Sequence, residues 1–444
     1  MSTTGDRVAT LMQRAAGLRH EMAWILLGQG LSFAGGFIGI KVLTTIMGPA
    51  GYGKLALGLT IAGILTTFIY GPLANVVSRF YSIYRERGEL SVYFAVLKRT
   101  HCVAAVILSV LSLVAAGIAT WRVGGEWALI ITLALFFGIA SGINTSYIAL
   151  QSAIRQRNVV ALHQGADVWL RIGLSIALLA LFSKSSCFAL LGYLLGTITV
   201  TLSQNVFALR NREIRSAWGK ECAGVQQRAC SREFMVYASP FVAWAGIAYV
   251  SAYGDRWILQ YLFGAREVGI YAALFQIANS PIAQLTTMIN QLMVPIIYER
   301  AGSLSLEEQV RSSARLLRMV VLVTSAVLAL VTLAMFLFSE ALVRLLTSQA
   351  FIEHHHLLWI ITAGLALLHT GQMLTTKGMY ANKPQIYLWP KILQAASFIL
   401  FSLFLCARFG VSGVAISLCV SSLVHLLMIV MINRRLEVIP VTVS

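Results

Sequence analysis

Charged and amide side chains set at helical spacing inside apolar stretches are the residues of this chain equipped for chemistry. His163, Asp167 and Arg171 fall at i, i+4 and i+8, on one face of a helix. An aspartate four residues before an arginine can pair with it along the helix, which lowers the cost of burying both. Two readings fit: a charged lining of a hydrated cavity, or a structural ion pair between helices with Arg171 reaching toward an interface. Asp255 and Arg256 are adjacent near the outer end of another apolar stretch, where an exposed pair costs little. Lys41 lies about two turns from the outer end of the first stretch, costly against lipid but within snorkelling reach of the interface, and a cavity position is favoured. Arg79 follows Asn75 and Ser78 at the inner end of the second stretch, placed either to hold a phosphate or simply to keep its loop inside.

The clearest polar pattern is uncharged. Gln276, Ser280, Gln284, Thr287 and Gln291, joined by Asn279 and Asn290, keep to one helical side at spacings of three and four. Such a face inside a membrane packs on another polar surface or lines water. Amides carry both donors and acceptors, which suits sugar hydroxyls. Pro281 and Pro295 in this stretch, like Pro72 in the second, bend the helix and free backbone carbonyls. His354, His355 and His356 are consecutive, so on a helix they point about 100° apart and do not converge on a metal ion. The six cysteines are scattered without metal or disulfide spacing, so no metal site and no bound cofactor is expected.

The elements that must position these residues are membrane spans. The chain is 58% hydrophobic and 11% charged over 444 residues, with mean hydropathy +0.77, a balance foreign to soluble globular proteins. Apolar runs of about 20 residues centre near Gly35, Ile64, Ile107, Leu135, Ile172, Leu195, Gly246, Ala278, Ala329, Leu365, Phe398 and Val420. The expected fold class is therefore an all-α polytopic membrane protein of about twelve helices. Charges intrude into the fifth and eleventh runs; Lys391, after Trp389 and Pro390, reads as an interfacial anchor. With the N-terminus inside, 24 lysines and arginines fall on the inner side and 6 on the outer. That asymmetry orients the chain with both termini cytoplasmic, and it accounts for the net charge of +17 without nucleic acid. No cleavable signal is expected, because residues 1–21 are polar and basic. Val8, Leu11, Met12, Ala15 and Leu18 give that segment an amphipathic face suited to the membrane surface.

The chain also repeats itself. Gly264 and Gly269 flank a turn between two spans, and moved back by 216 positions they land on Gly48 and Gly53 of a turn between the first two. Two parallel repeats follow, with an interfacial segment 1–21, a six-helix lobe 22–209, a basic linker 210–232, a second six-helix lobe 233–433 and a cytoplasmic tail 434–444. A serine cap and acidic first turn at Ser303 to Glu308 mark a helix start.

Gly48-Pro-Ala-Gly-Tyr-Gly53, Asn75-Val-Val-Ser-Arg79-Phe80, Tyr253-Gly-Asp-Arg-Trp-Ile-Leu259 and Val268-Gly-Ile-Tyr-Ala272 resemble, in order and spacing, Wzx-type oligosaccharide flippases. The likeness runs through most of the chain to Gly410-Val-Ser-Gly413. It implies the fold of the multidrug/oligosaccharidyl-lipid/polysaccharide exporter superfamily, with a MATE-like V-shaped cavity between two lobes. It also implies a flippase that moves undecaprenyl-pyrophosphate-linked oligosaccharide across a bacterial inner membrane for O-antigen, lipopolysaccharide or exopolysaccharide assembly. In that picture Lys41, Arg79, Arg171 and Arg256 attract the pyrophosphate, and Asn75, Gln276, Asn279, Gln284 and Gln291 meet the glycan. Lipid-linked oligosaccharide, membrane lipids and a polysaccharide polymerase are the implied partners.

Transport would run by alternating access. Asp167 and Asp255 are the acidic residues in or beside spans placed to couple it to a proton or sodium gradient. Each has an arginine neighbour, which favours the carboxylate and opposes proton uptake near neutral pH. The nearest alternative is a multidrug/cation antiporter of the same superfamily, which would call for cavity carboxylates. A membrane glycan-processing enzyme is disfavoured because the external loops are short and nearly empty of charge, and intramembrane charges count against a scaffold.

Overall fold

The computed structural model describes residues 4–220, 223–301, 307–381 and 383–436, and among them it is helical with no strand. The long helices are α1 (Thr4–Leu65), α2 (Gly71–Glu86), α3 (Leu90–Val123), α4 (Gly125–Ala153), α5 (Arg157–Leu181) and α6 (Ser186–Arg210). After a short α7 (Arg212–Ala217) come α8 (Gly224–Leu262), α9 (Ala265–Ala301) and α10 (Glu307–Leu337). Then follow α11 (Ser339–Leu346), α12 (Leu357–Leu374), α13 (Thr376–Tyr380), α14 (Leu388–Phe409) and α15 (Val411–Arg435). The helix start expected at Ser303 falls mostly outside the described residues, as do the first three residues and the last eight.

Among the described residues, ten helical stretches are long and apolar enough to cross a membrane. The first of them, Ala23–Glu86, is two spans run together, because α1 breaks at Gly48 with φ 65° and ψ −178°. Only glycine takes that backbone without strain, and Pro49 then opens the second segment with its ring φ preset and no N–H to satisfy. Helix α9 is not among the ten, although its 37 residues suffice for a span; its amides dilute the hydropathy. Counting both, each of the twelve expected centres lies on its own helical segment.

The chain divides into two compact units, residues 1–39 with 58–246, and residues 40–57 with 247–444. In the first unit, glycines let helices close on one another. A Cβ at Gly28, Gly35 or Gly39 of α1 would sit 2.7 to 2.8 Å from Ala161, Val168 or Ile172 of α5. Gly192 and Gly196 of α6 lie against the backbone of Ser175 and Arg171 of α5 at 2.4 and 2.7 Å on the same measure. Between lipid-solvated helices, where burial of apolar surface gives no net drive, close backbone approach of this kind is what holds the pair. Toward the basic loops, Tyr81, Tyr84, Tyr93, Phe94 and Phe234 form an aromatic core that also buries Ile214 and Ala217 of α7. The Tyr93 hydroxyl donates to the carbonyl of Val77 at 3.1 Å, and the Tyr84 hydroxyl to Glu233 at 2.9 Å. Along α3, Val106, Ile107, Val110, Leu111, Val114 and Ile118 are all more than half exposed, which is the surface expected against lipid tails.

In the second unit the two glycine turns of the repeat meet. A Cβ on Gly53 would lie 1.7 Å from the carbonyl oxygen of Ala265, and a Cβ on Gly269 would lie 1.9 Å from that of Pro49. Residue 265 is 49 plus 216, as 269 is 53 plus 216, so the contact is reciprocal, the mark of a local two-fold. Gly264, at φ 95°, takes the left-handed position that Gly48 takes in the first turn. Farther along, α12 closes on α15 through Gly364 against Leu418 and Gly371 against His425.

Candidate functional site

Helix α9 buries one side and leaves the other bare. Ala273, Leu274, Ile277, Ala278, Ile282 and Thr286 are buried, and the Thr286 hydroxyl lies 3.1 Å from His369 Nδ1 of α12. Gln276, Thr287 and Gln291 are exposed, with Asn279, Ser280 and Gln284 partly so. Gln276 Nε2 donates to Ser280 Oγ at 3.2 Å, and Ser280 Oγ donates to the Gln276 carbonyl at 2.7 Å. The side chains of Asn279, Gln284 and Gln291 make no hydrogen bond to another described residue. An unsatisfied amide in hydrocarbon costs several kcal/mol. Within a membrane such a stripe calls for water or another polar surface against it.

Asp255 and Arg256, on α8 two turns before its end, are only 3% and 9% exposed, not the surface pair that proximity to the helix end suggests. The Arg256 backbone N–H donates to Asp255 Oδ1 at 2.7 Å; Nη1 of the same arginine donates to the Ala252 carbonyl at 2.9 Å and lies 3.4 Å from Asp255 Oδ1. Its guanidinium rests 5.2 Å from the ring of Phe275, the residue before Gln276, and 5.5 Å from that of Tyr253. A desolvated cation over aromatic faces gains more than it does at a surface. Tyr271 is fully buried beside the pair.

Lys41 is half-buried and occupied. Its Nζ donates to the carbonyls of Arg344 at 3.0 Å and Thr347 at 2.5 Å, at the C-terminal end of α11. A cation there satisfies carbonyls that the helix cannot pair and meets the negative end of its dipole.

In the first unit, Asp167, Arg171 and Thr197 close a ring. Arg171 Nη2 lies 2.5 Å from Asp167 Oδ2, Arg171 Nε donates to Thr197 Oγ1 at 2.7 Å, and Thr197 Oγ1 donates to Asp167 Oδ1 at 3.1 Å. The Arg171 guanidinium also covers the Phe137 ring at 4.9 Å. His163, one turn earlier, is bonded to the Val159 carbonyl at 2.8 Å and Ser203 at 3.1 Å. The spacing on α5 reveals the pair; Thr197, contributed by α6, is the member the spacing does not reveal. On α2, Asn75, Ser78 and Arg79 share one exposed face, with no side-chain partner among the described residues.

The three histidines lie on a 3-10 turn and the bend after it. His355 Nδ1 is bonded to Ser339 at 2.9 Å, and no group of three potential ligands is gathered for a metal among the described residues. Burial, reinforced by the charge of His354 and His355, holds the His356 pKa below the usual histidine value.

The model of the polysaccharide biosynthesis protein family matches residues 18–300. No curated protein sequence matches the chain. Among solved structures, the chain is similar to the lipid II flippase MurJ in an inward closed conformation, with a TM-score of 0.68 at 12% identity over 92% of this chain and 87% of that one. It is similar to an inward-facing multidrug resistance MATE family transporter of the MOP superfamily, with a TM-score of 0.60 at 14% identity over 93% of each chain. A third likeness is to a MOP superfamily transporter from Pyrococcus furiosus described by the reverse polarity of its binding pocket, with a TM-score of 0.59 at 12% identity over 93% of each chain. At these identities the likeness establishes the fold, that of the MATE and MurJ transporters. By the match over most of its length, the chain belongs to the polysaccharide biosynthesis protein family.

Proposed function

We propose that the protein is a flippase that carries undecaprenyl-pyrophosphate-linked oligosaccharide from the cytoplasmic to the periplasmic leaflet of a bacterial inner membrane. The carrying observation is the amide face of α9, on which Asn279, Gln284 and Gln291 bond to no other described residue. Amides offer each sugar hydroxyl a donor and an acceptor, and they bind without the carboxylates that a cationic drug demands. The exposed Asn75, Ser78 and Arg79 on α2 offer a second polar face with a phosphate-binding cation. Family membership and fold support a transporter in place of an enzyme. In this reading the termini are cytoplasmic, alternating access moves the headgroup, and the product passes to a polysaccharide polymerase. A proton or sodium gradient supplies the driving force.

The test uses a deletion strain of the native host, measuring lipid-linked oligosaccharide in each leaflet. Wild type and the variants Gln276→Leu with Gln284→Leu, and Arg79→Gln, are restored at matched expression. Accumulation on the cytoplasmic leaflet in the deletion strain and in the amide variant supports the reading. Normal lipid-linked glycan and surface polysaccharide in the deletion strain overturn it and favour the multidrug antiporter.

A further inference from the structure

The second unit carries a basic cleft where α9 meets α10, with Arg300 nine residues beyond Gln291 of the amide face on the same helix. Ile297 and Ala301 at the end of α9 pack against Leu316, Leu317 and Val320 of α10, which fixes the junction. Around it, Arg300, Arg311 and Arg315 line a cleft of about 650 Å³ together with Glu308, Ser312, Leu316 and Met319. Two other arginines near helix ends are paired with carboxylates, Arg85 with Glu213 at 2.7 Å and Arg344 with Glu340 at 2.6 Å. Arg300 and Arg315 have no ion-pair partner among the described residues. Three arginines and one carboxylate line the cleft, a balance that favours an anion.

Its position says which anion. Arg311, Arg315, Met319 and Leu322 recur at spacings of four, four and three, one face of α10. Met319, Leu322 and Val323 are 56%, 64% and 59% exposed. Arg318, also exposed, lies on the same face, so the apolar stripe starts one turn beyond Arg315 and directly after Arg318. One leaflet of hydrocarbon, about 15 Å deep, spans about ten residues of helix at a rise of about 1.5 Å. Chains hanging from a phosphate at Arg315 would cover the face from Met319 to about residue 325. A soluble phosphate compound would use the arginines and leave that stripe unexplained.

We propose that this cleft binds the phosphate of an anionic diacyl phospholipid from the leaflet on the side of the basic loops, with its acyl chains along α10. The site stands apart from the transported substrate and does not depend on its identity. Two arginine-phosphate contacts at a membrane surface, each contributing about one kcal/mol, correspond to about 30-fold in affinity.

Native mass spectrometry of the purified full chain tests this, titrating dioleoyl phosphatidylglycerol against dioleoyl phosphatidylcholine. Phosphatidylglycerol is expected to be retained at least tenfold better. Arg311→Gln with Arg315→Gln is expected to lose about 30-fold of that affinity, Arg311→Lys with Arg315→Lys to keep most of it, and Arg344→Gln to keep all of it. Glycerol phosphate and inorganic pyrophosphate are expected to bind more than tenfold weaker than the lipid. Equal retention of the two lipids by wild type, or unchanged retention by a folded glutamine variant, overturns the proposal. Pyrophosphate binding as tight as the lipid also overturns it, in favour of a soluble phosphate ligand. The wild-type lipid comparison decides the matter even where the glutamine variant fails to fold.

Discussion

Replacing Gly53 or Gly269 by alanine adds a single methyl group where two backbones already touch. The new carbon would stand 1.7 Å from the Ala265 carbonyl in one case and 1.9 Å from the Pro49 carbonyl in the other, against a practical minimum of 3.0 Å. The turns must therefore part by about 1.3 Å or 1.1 Å. The obstruction is main chain at the start of a helix and cannot rotate away, so the cost lies at the upper end of the overpacking range, about 3 kcal/mol. In a unit of some two hundred residues this lowers the melting temperature by about 6–12 °C. The double variant distinguishes a reciprocal joint from two unrelated tight spots. Once one methyl has opened the joint, the second finds part of its room made, so the combined loss falls well short of the sum. Fluorescence-detected thermal unfolding in detergent at a fixed scan rate gives all three shifts. Gly117→Ala serves as control, since nothing lies within 4 Å of its added carbon. Shifts of less than 2 °C for the single variants, or a double shift equal to the sum, would refute the reciprocal contact.

The ring of Asp167, Arg171 and Thr197 predicts that Asp167→Asn or Arg171→Met alone costs about 3–5 kcal/mol, because each leaves a buried partner charge, while the double substitution recovers part of the loss; thermal unfolding of the cycle checks this, and full additivity would mean that the pair is not coupled. Lys41→Met is expected to lower thermal stability by about 2–3 kcal/mol, the worth of charge-assisted bonds to two helix-end carbonyls. A fall in transport with an unchanged melting temperature would instead make Lys41 a substrate contact.

The spans were legible because hydrocarbon demands long apolar runs, and the two exceptions have chemical causes. By apolarity alone the first two spans run together through Gly48, where the break is a single dihedral, and α9 does not stand out, because its bare face is amide. The glycine repeat was visible at a spacing of 216, yet nothing in a linear pattern says that Gly53 and Gly269 touch. The Asp167 and Arg171 pair could be read from one helix, but Thr197 comes from another. Lys41 finds its partners 303 and 306 residues away, and those partners are backbone carbonyls, which leave no trace in side-chain identity. Lys41 also lines an open cleft with Leu337, Glu340 and Arg344, so its carbonyl partners do not remove it from a cavity wall.

Were transport coupled to a proton or sodium gradient, as proposed, the buried pairs would constrain how. A carboxylate that takes up a proton or a sodium ion must first yield its arginine, and a buried arginine stripped of its counter-charge costs several kcal/mol. Asp255 is the harder case: its Oδ1 also holds the backbone N–H of Arg256 at 2.7 Å, and only 3% of the residue is exposed. At Asp167 the arginine keeps 19% of its side chain open and has Thr197 as a second partner, so it can turn toward an arriving anion without becoming unpaired. A diphosphate on the proposed substrate is such an anion, and its approach lowers the cost of releasing the aspartate. On this reasoning the carboxylate on α5 is the better coupling candidate of the two. In that proposal its arginine would link ion uptake to substrate arrival, because the aspartate is released at least cost when a second anion is present to take the guanidinium.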